Sequence, residues 1–402
     1  MSKLHLRKST LVPRLPAQLW LLAVAAFVNF LGFMVTPFLV LYLTQVTAFS
    51  VEIAGVLLTC FGIGGILGAW SGGRLSDRIG SRNVLFLSFL VSAVAMFIIP
   101  LISNVLLIGA MLIILAFANG AFRPAYDACV VRLCPESERS HAYAVYVVAI
   151  NVGAGIAAGL GGKLYAIEPH LIFYADGLTS IVAAGLVFVF LDQRANHSQP
   201  AAKKQVAQNG QASAPYTSVT FLIVCLASCV LDVVSKQTSV TLPIYVSSVY
   251  GMDAAAFGSL LTIGYITFAA AVLPVTAWVK TQNQLRTAVV GMGIVSSAFF
   301  LISVASSMGA LVALYLLITI GQLLFYPAIM AVAMGEAAKD AQRSGEYMGF
   351  YRTVQSAAGI AAPSIGTFIY TQVSPAALWF FCAILVVGSA TALWGQNRRG
   401  QA

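Results

Sequence analysis

Apolar residues dominate this chain in stretches of about 20 or more, long enough to cross a hydrocarbon core of about 30 Å as helices rising about 1.5 Å per residue. Twelve such helices are expected. The first six fall at about 18–44, 51–72, 84–102, 105–130, 141–163 and 171–191, and the second six at about 217–246, 254–279, 287–307, 309–334, 347–371 and 376–394. The first stretch follows the basic residues Lys3, Arg7, Lys8 and Arg14. It runs past signal-peptide length with no small-residue cleavage pattern behind it, so it is expected to stay as a helix.

Only one long polar segment interrupts the series, Asp192 to Pro215, rich in Ala, Gln, Ser and Asn and carrying Arg194, Lys203 and Lys204. That composition predicts a flexible cytoplasmic connector. The expected organisation is a six-helix bundle over 1–191, a linker over 192–216 and a second six-helix bundle over 217–402. The two halves also repeat each other. Arg139, Ser140, Tyr143 and Ala154–Ala158 (AGIAA) recur as Arg343, Ser344, Tyr347 and Ala358–Ala362 at a constant offset. One residue out of step, Phe122, Pro124, Ala125 and Ala128 recur as Phe325, Pro327, Ala328 and Ala331. Matches in order at corresponding helices point to duplication, with the halves as parallel repeats about an axis normal to the membrane.

Composition agrees with lipid as the solvent, since hydrophobic residues at 59% and charged residues at 9% leave too little polar surface for a water-soluble globule. The net charge of +9 is topological. With both termini in the cytoplasm, all but four of the 22 Lys and Arg residues fall in inside segments. Lys163 alone is outside, while Arg123, Lys236 and Arg352 lie within helices, so no nucleic-acid partner is needed to explain the charge. Cys60, Cys129, Cys134, Cys225, Cys229 and Cys382 show neither metal-ligand nor secreted-framework spacing and are expected to be free thiols. No nucleotide-binding glycine loop, metal cluster or nucleophile motif appears, and His5, His141, His170 and His197 fall outside the helix centres. No cofactor, metal or enzymatic activity is expected.

Gly73, Arg74, Leu75, Ser76, Asp77, Arg78, Ile79, Gly80, Ser81 and Arg82 are expected in a short inside loop between helices two and three. This run resembles the signature loop of the major facilitator superfamily, G-x-L-x-D-R-x-G-[RK]-[RK], and with the twelve-helix layout the resemblance covers the whole chain. It implies an all-α membrane protein of two pseudo-symmetric six-helix bundles, monomeric, working by alternating access around a site between the halves. It also implies a gating role for Gly73, Asp77, Arg78, Gly80 and Arg82, latching onto the other half when the cytoplasmic side is closed. Ser81 departs from the pattern, which has a basic residue there. Arg123 and Asp127, four apart near the inside end of helix four, are spaced to pair. In similar transporters an acid at this position joins the signature loop, which assigns the two to gating, with direct substrate contact by Arg123 as the alternative.

Charged groups in hydrocarbon cost about 3 kcal/mol, so each acid inside a helix needs a reason. Asp232 falls halfway along helix seven with Lys236 one turn later, where this architecture puts its substrate cavity. Either the two line the cavity, binding a charged or zwitterionic substrate or carrying the coupling proton on Asp232, or they form a self-satisfied ion pair. Asp176 falls near the outside end of helix six, shallow enough to be wetted, as a helix-end group or a proton entry point. Asn29, Asn119, Asn151, Tyr265, Gln322, Tyr326 and Gln355 complete a candidate lining, each with helix packing as its other reading. Asn151 and Gln355 occupy equivalent repeat positions.

The run Asn151 to Gly162 is similar to the glycine-rich helix-five motif of drug:proton antiporters, although Ala157 and Ala158 replace its Gly-Pro and Ala116 replaces the arginine of its helix-four companion. The resemblance implies proton-driven export, in the inner membrane, of drugs or of a small endogenous molecule such as a metallophore. The alternatives are a proton-coupled importer of a polar or zwitterionic solute and a membrane sensor that does not transport.

Overall fold

The computed structural model describes residues 16–134, 138–192, 218–305, 307–339 and 344–399. The basic tail at Lys3, Arg7, Lys8 and Arg14, the repeat residue Arg343, His5, His197 and all of the expected linker except Asp192 lie outside the described residues. Among the described residues the regular structure is entirely helical. The first half contains α1 Ala17–Leu31, α2 Val35–Leu41, α3 Val51–Ile79, α4 Ser81–Ile98, α5 Val105–Leu133, α6 Arg139–Ile167 and α7 Leu171–Phe190. The second contains α8 Val219–Val240, α9 Leu242–Tyr250, α10 Ala254–Val279, α11 Gln284–Ile302, α12 Met308–Ala338, α13 Ser344–Gln372 and α14 Pro375–Arg399.

Fourteen helices make twelve crossings, because the first crossing of each half is interrupted. Helices α1 and α2 meet at Gly32–Met34, and a turn of π-helix at Tyr42–Val46 carries the crossing on. Helices α8 and α9 meet at Thr241, where Pro243 opens the second piece. Among the described residues eleven segments are both long and apolar enough to span a membrane. Helix α13 has the length, at 29 residues, and is more polar. In lipid a backbone has few options besides helix, which is why long apolar runs read so directly as crossings. Their starts are set by capping: Ser50, Asn104, Ser218, Asp253, Asn283 and Ser307 each accept a backbone N–H of the first turn.

The segment from Gly73 to Ile79 is not a loop. Helix α3 continues through it, and the turn into α4 is made at Gly80 alone, with φ 89°. Glycine adopts that conformation without a Cβ penalty. At a membrane edge the polar side chains of a helix reach water while its backbone bonds stay intact, so loss of apolar character there did not mean loss of helix.

Small residues set the packing. Gly64, Gly68 and Gly72 form a stripe on α3 against Ile113, Phe117 and Ala121 of α5, and a Cβ at Gly68 would stand 2.0 Å from the Phe117 carbonyl oxygen. Close approach of this kind is how helices associate where lipid supplies no hydrophobic drive. Between the halves, α6 lies on α10 and α3 on α13. Chain order puts the start of α1 and the end of α14 at one end of the bundle, here the near end, and contacts between the halves gather at the opposite, far end. Gly162 sits on Ala254, Gly258 on Ala158, Thr262 Oγ1 donates to Gly155 O at 2.8 Å, and Thr59 and Ser364 hydroxyls meet at 2.7 Å. Gln45 Nε2 donates to Ser247 Oγ at 3.1 Å beyond them. Toward the near end Gly73 and Gly349 border open space, and Arg123 and Arg352 are exposed.

Candidate substrate cavity

Interrupted crossings place polar backbone and side chains at mid-depth, and the cavities lie beside them. On the first half's side a cavity of about 350 Å³ is walled by Phe30, Phe33, Phe61, Phe89 and Phe122, with Asn29, Thr36, Ser88, Ser92, Asn119 and Asp176 as its polar groups. On the second half's side one of about 300 Å³ is lined by Asp232, Ser235, Tyr265, Tyr315, Gln322, Tyr326 and Gln355. Lys236 borders both, and also a third of about 280 Å³ reaching Gly62 and Gly359. A groove of about 640 Å³ on the bundle perimeter, between α11 and α14, has Phe300, Phe380 and Val387 in its walls and no ionisable group.

The polar side chains of the second half form a connected network. Tyr326 Oη on α12 donates to Asp232 Oδ1 on α8 at 2.8 Å, and Gln322 Nε2 donates to Ser235 Oγ at 2.9 Å. On α13, Arg352 donates to Gln355 Oε1 at 3.0 Å, and Tyr351 meets Ser228 Oγ at 2.9 Å. Arg352 is also within electrostatic range of Asp232 and, across the interface, of Asp127. Sequence spacing singled out Asp232, Gln322, Tyr326 and Gln355 but missed Arg352, Tyr351 and Ser235. As one of three basic residues inside helices, Arg352 carried the signal that could have found it.

Asp232 and Lys236 are not an ion pair: no carboxylate stands within 4.0 Å of the Lys236 ammonium among the described residues. Asp232 is turned to Tyr326 instead, and Lys236 is exposed to the cavities. Asp176 is not wetted either. At 6% exposure it is buried, and its Oδ2 accepts the Val35 N–H at 3.4 Å, satisfying a donor freed where the first crossing breaks. Asn119 accepts from Ser92 Oγ at 3.0 Å in the first-half cavity. Asn151 stands apart. Its amide donates to Val147 O in its own helix at 2.8 Å, away from the cavities that take in its repeat partner Gln355.

The expected Arg123–Asp127 pair is likewise not formed within 4.0 Å. Arg123 is exposed, whereas Asp127 is half-buried with Oδ1 lacking a hydrogen-bond partner among the described residues. Helical spacing put the two on one face, and Arg123 stays within electrostatic range of Asp127 without a direct contact, while Tyr143 hydrogen-bonds the carboxylate. Asp77 takes its partner from its own half, Arg132 of α5 at 3.5 Å. Arg132 also donates to Ser81 Oγ at 2.5 Å, so the serine that departs from the signature pattern holds this arginine. Arg82 donates to the carbonyls of Val187 and Phe188 on α7. Arg78 is exposed.

A sequence profile described as Major Facilitator Superfamily matches residues 22–363. The chain belongs to the major facilitator superfamily. Two curated relatives of this superfamily member are the uncharacterized MFS-type transporter YttB of Bacillus subtilis (strain 168), 24% identical with 96% of each chain covered, and the tetracycline resistance protein, class D, of Salmonella ordonez, 25% identical over 80% of this chain and 81% of that protein. Among solved structures, the peptide transporter POT in complex with sulfate superposes with a TM-score of 0.76 at 18% identity, covering 96% of this chain and 95% of that one. That likeness is one of fold. The superfamily consists of multi-pass membrane transporters and is not an enzyme class.

Proposed function

We propose that this transporter is a proton-driven exporter of small organic molecules, working by alternating access as a monomer in an inner membrane with both termini in the cytoplasm. The observation that carries the reading is a pair of cavities that meet at Lys236, one reaching Asp176 and the other Asp232, beneath an interface sealed at the far end. On the orientation given by the basic residues this is the inward-open state, ready to take cargo from the cytoplasm. Residues 1–191 and 217–402 are the two rocking units and 192–216 the tether. The substrate and proton path comprises Asn29, Asn119, Asp176, Asp232, Lys236, Tyr265, Gln322, Tyr326 and Gln355. Asn151 joins it in this reading only if α6 turns in another state. Export is supported by resistance proteins among the relatives, including the multidrug resistance protein MdtH of Edwardsiella ictaluri (strain 93-146).

A second reading, uptake of a polar or zwitterionic solute, is favoured by the unpaired lysine in the cavity. Accumulation of fluorescent dyes in energised cells separates the two. Cells with the wild-type protein are expected to accumulate less dye than cells with Asp232→Asn or empty vector, and an uncoupler is expected to erase the difference. Higher wild-type accumulation would establish uptake, and equal accumulation of every dye in all three would sink dye export.

A further inference from the structure

Among the described residues Lys236, the cation that lines these cavities, makes no hydrogen bond and no ion pair within 4.0 Å, and Asp232 one turn away acts on it only from a longer distance. Asp232 is engaged by Tyr326 and Asp176 by the Val35 amide, each a carboxylate with a donor supplied by the protein. Lys236 sits where three cavities meet, with no carboxylate within 4.0 Å among the described residues. A lysine at mid-membrane costs about 2.5–3.5 kcal/mol on the gentler scales, and such residues pair or face a water-filled path. Here the acid one turn away is turned to Tyr326 and stands beyond 4.0 Å, so the ammonium keeps room for the direct contact of an anion that enters from outside the protein.

The walls describe the rest of that anion. Toward the first half Lys236 looks onto phenylalanines, with Phe30 and Phe33 at 5.6 Å between ring centroids and Phe89 and Phe122 at 5.4 Å, a surface suited to a flat aromatic body. Toward the second half it looks onto the hydroxyls and amides of Ser235, Tyr265, Gln322 and Gln355, which suit neutral polar substituents. The geometry points to an aromatic carboxylate, free or zwitterionic, as the substrate class, its body against the phenylalanine wall and its carboxylate on the Lys236 ammonium. This rests on the cavity being the substrate site and narrows what it takes.

The test is binding to the purified full-length protein in detergent, read by fluorescence anisotropy, with rhodamine B and rhodamine B ethyl ester. The two dyes share one ring system and differ in whether the carboxylate is free. Wild-type protein is expected to bind the acid at least about tenfold more tightly than the ester, ~1.4 kcal/mol. Lys236→Met is expected to bring that ratio to about one, and Lys236→Arg to keep most of it. Equal affinity for the two dyes in the wild type overturns the proposal, as does weaker binding of the acid, absence of binding by either dye, or a ratio unchanged in Lys236→Met. If Lys236→Met does not fold, the wild-type ratio and its retention in Lys236→Arg still decide. Binding needs no gradient, so an acid preference without proton-driven flux would sink the exporter reading and leave the site standing, while dye export without that preference would do the reverse.

Discussion

The two ends of the bundle are held by contacts of different kinds. At the far end the contacts cross from one half to the other: glycine against backbone between α6 and α10, and hydroxyl against hydroxyl between α3 and α13. At the near end the charged residues of the signature segment bond within the first half, Asp77 to Arg132 and Arg82 to α7. Crossing contacts must break for the halves to rock, whereas contacts within a half can persist. The far end is therefore where the halves hold each other in this conformation, while the signature-segment residues Asp77 and Arg82 make their contacts inside the first half.

The largest effect is expected from overfilling the far end. A Cβ at Gly258 would stand 2.3 Å from the Ala158 carbonyl oxygen, and Leu there cannot be accommodated without parting α6 from α10. Overpacking costs about 1–3 kcal/mol, enough to move the balance between conformations by about 5- to 150-fold, and a leucine 2.3 Å from a carbonyl belongs at the upper end. The hydroxyls of Thr59 and Ser364 are 2.7 Å apart, so cysteines placed at both, in a background without the six native ones, are in reach of a disulfide in the sealed state. Gly258→Leu should slow that cross-link at least about tenfold. An unchanged rate would mean that the far end is not a state-dependent seal.

The glycine-rich run of α6 stood out in the sequence, and its Gly155, Gly159 and Gly162 are where the first half meets α10 of the second. The number of crossings was legible for a harder reason, since lipid leaves the backbone few forms other than helix. The break at Gly32–Met34 was not, because hydropathy runs through it, whereas the one at Thr241 follows the polar run Ser235–Ser239 and precedes Pro243, a signal that the expected crossing over 217–246 passed over. In the site, Asp232, Lys236, Gln322 and Tyr326 stood out since polar residues in apolar runs are few. Their bonds did not. Each residue turns a helix by about 100°, so spacing gives a face but not whom a long side chain meets. For that reason Asn151 bonds its own helix, Arg123 acts on Asp127 without pairing with it within 4.0 Å, and Arg352 reaches into a network that spacing did not suggest.

A smaller effect is expected from Thr59→Val, which keeps the shape at the far end and removes two hydrogen bonds between halves, to Ser364 Oγ and Ile360 O. Interhelical bonds of this type contribute about 0.6 kcal/mol and at most about 2. Denaturant unfolding in mild detergent should show a loss in that range, and the double variant Thr59→Val with Ser364→Ala should lose no more than the sum of the single changes. A super-additive loss would mean that the pair carries more of the seal than these bonds.

The smallest change in stability is expected at the near end, from Asp77→Asn. The Asp77 side chain is 79% exposed and meets Arg132 at 3.5 Å, and exposed pairs are worth about 0–1 kcal/mol, so unfolding should shift little. Transport is the sharper readout. If Asp77 acts only through Arg132 within its half, Asp77→Asn and Arg132→Ala should lose transport equally. If it latches onto the second half when the near end closes, as its place in the signature segment implies, flux should fall about tenfold or more while stability stays put. Arg132→Ala separates the two further, because it removes the partner seen in this conformation and leaves the carboxylate free for the other. Loss of flux in Asp77→Asn with retention in Arg132→Ala is the expected pattern, and equal loss in both would place the role of Asp77 inside the first half.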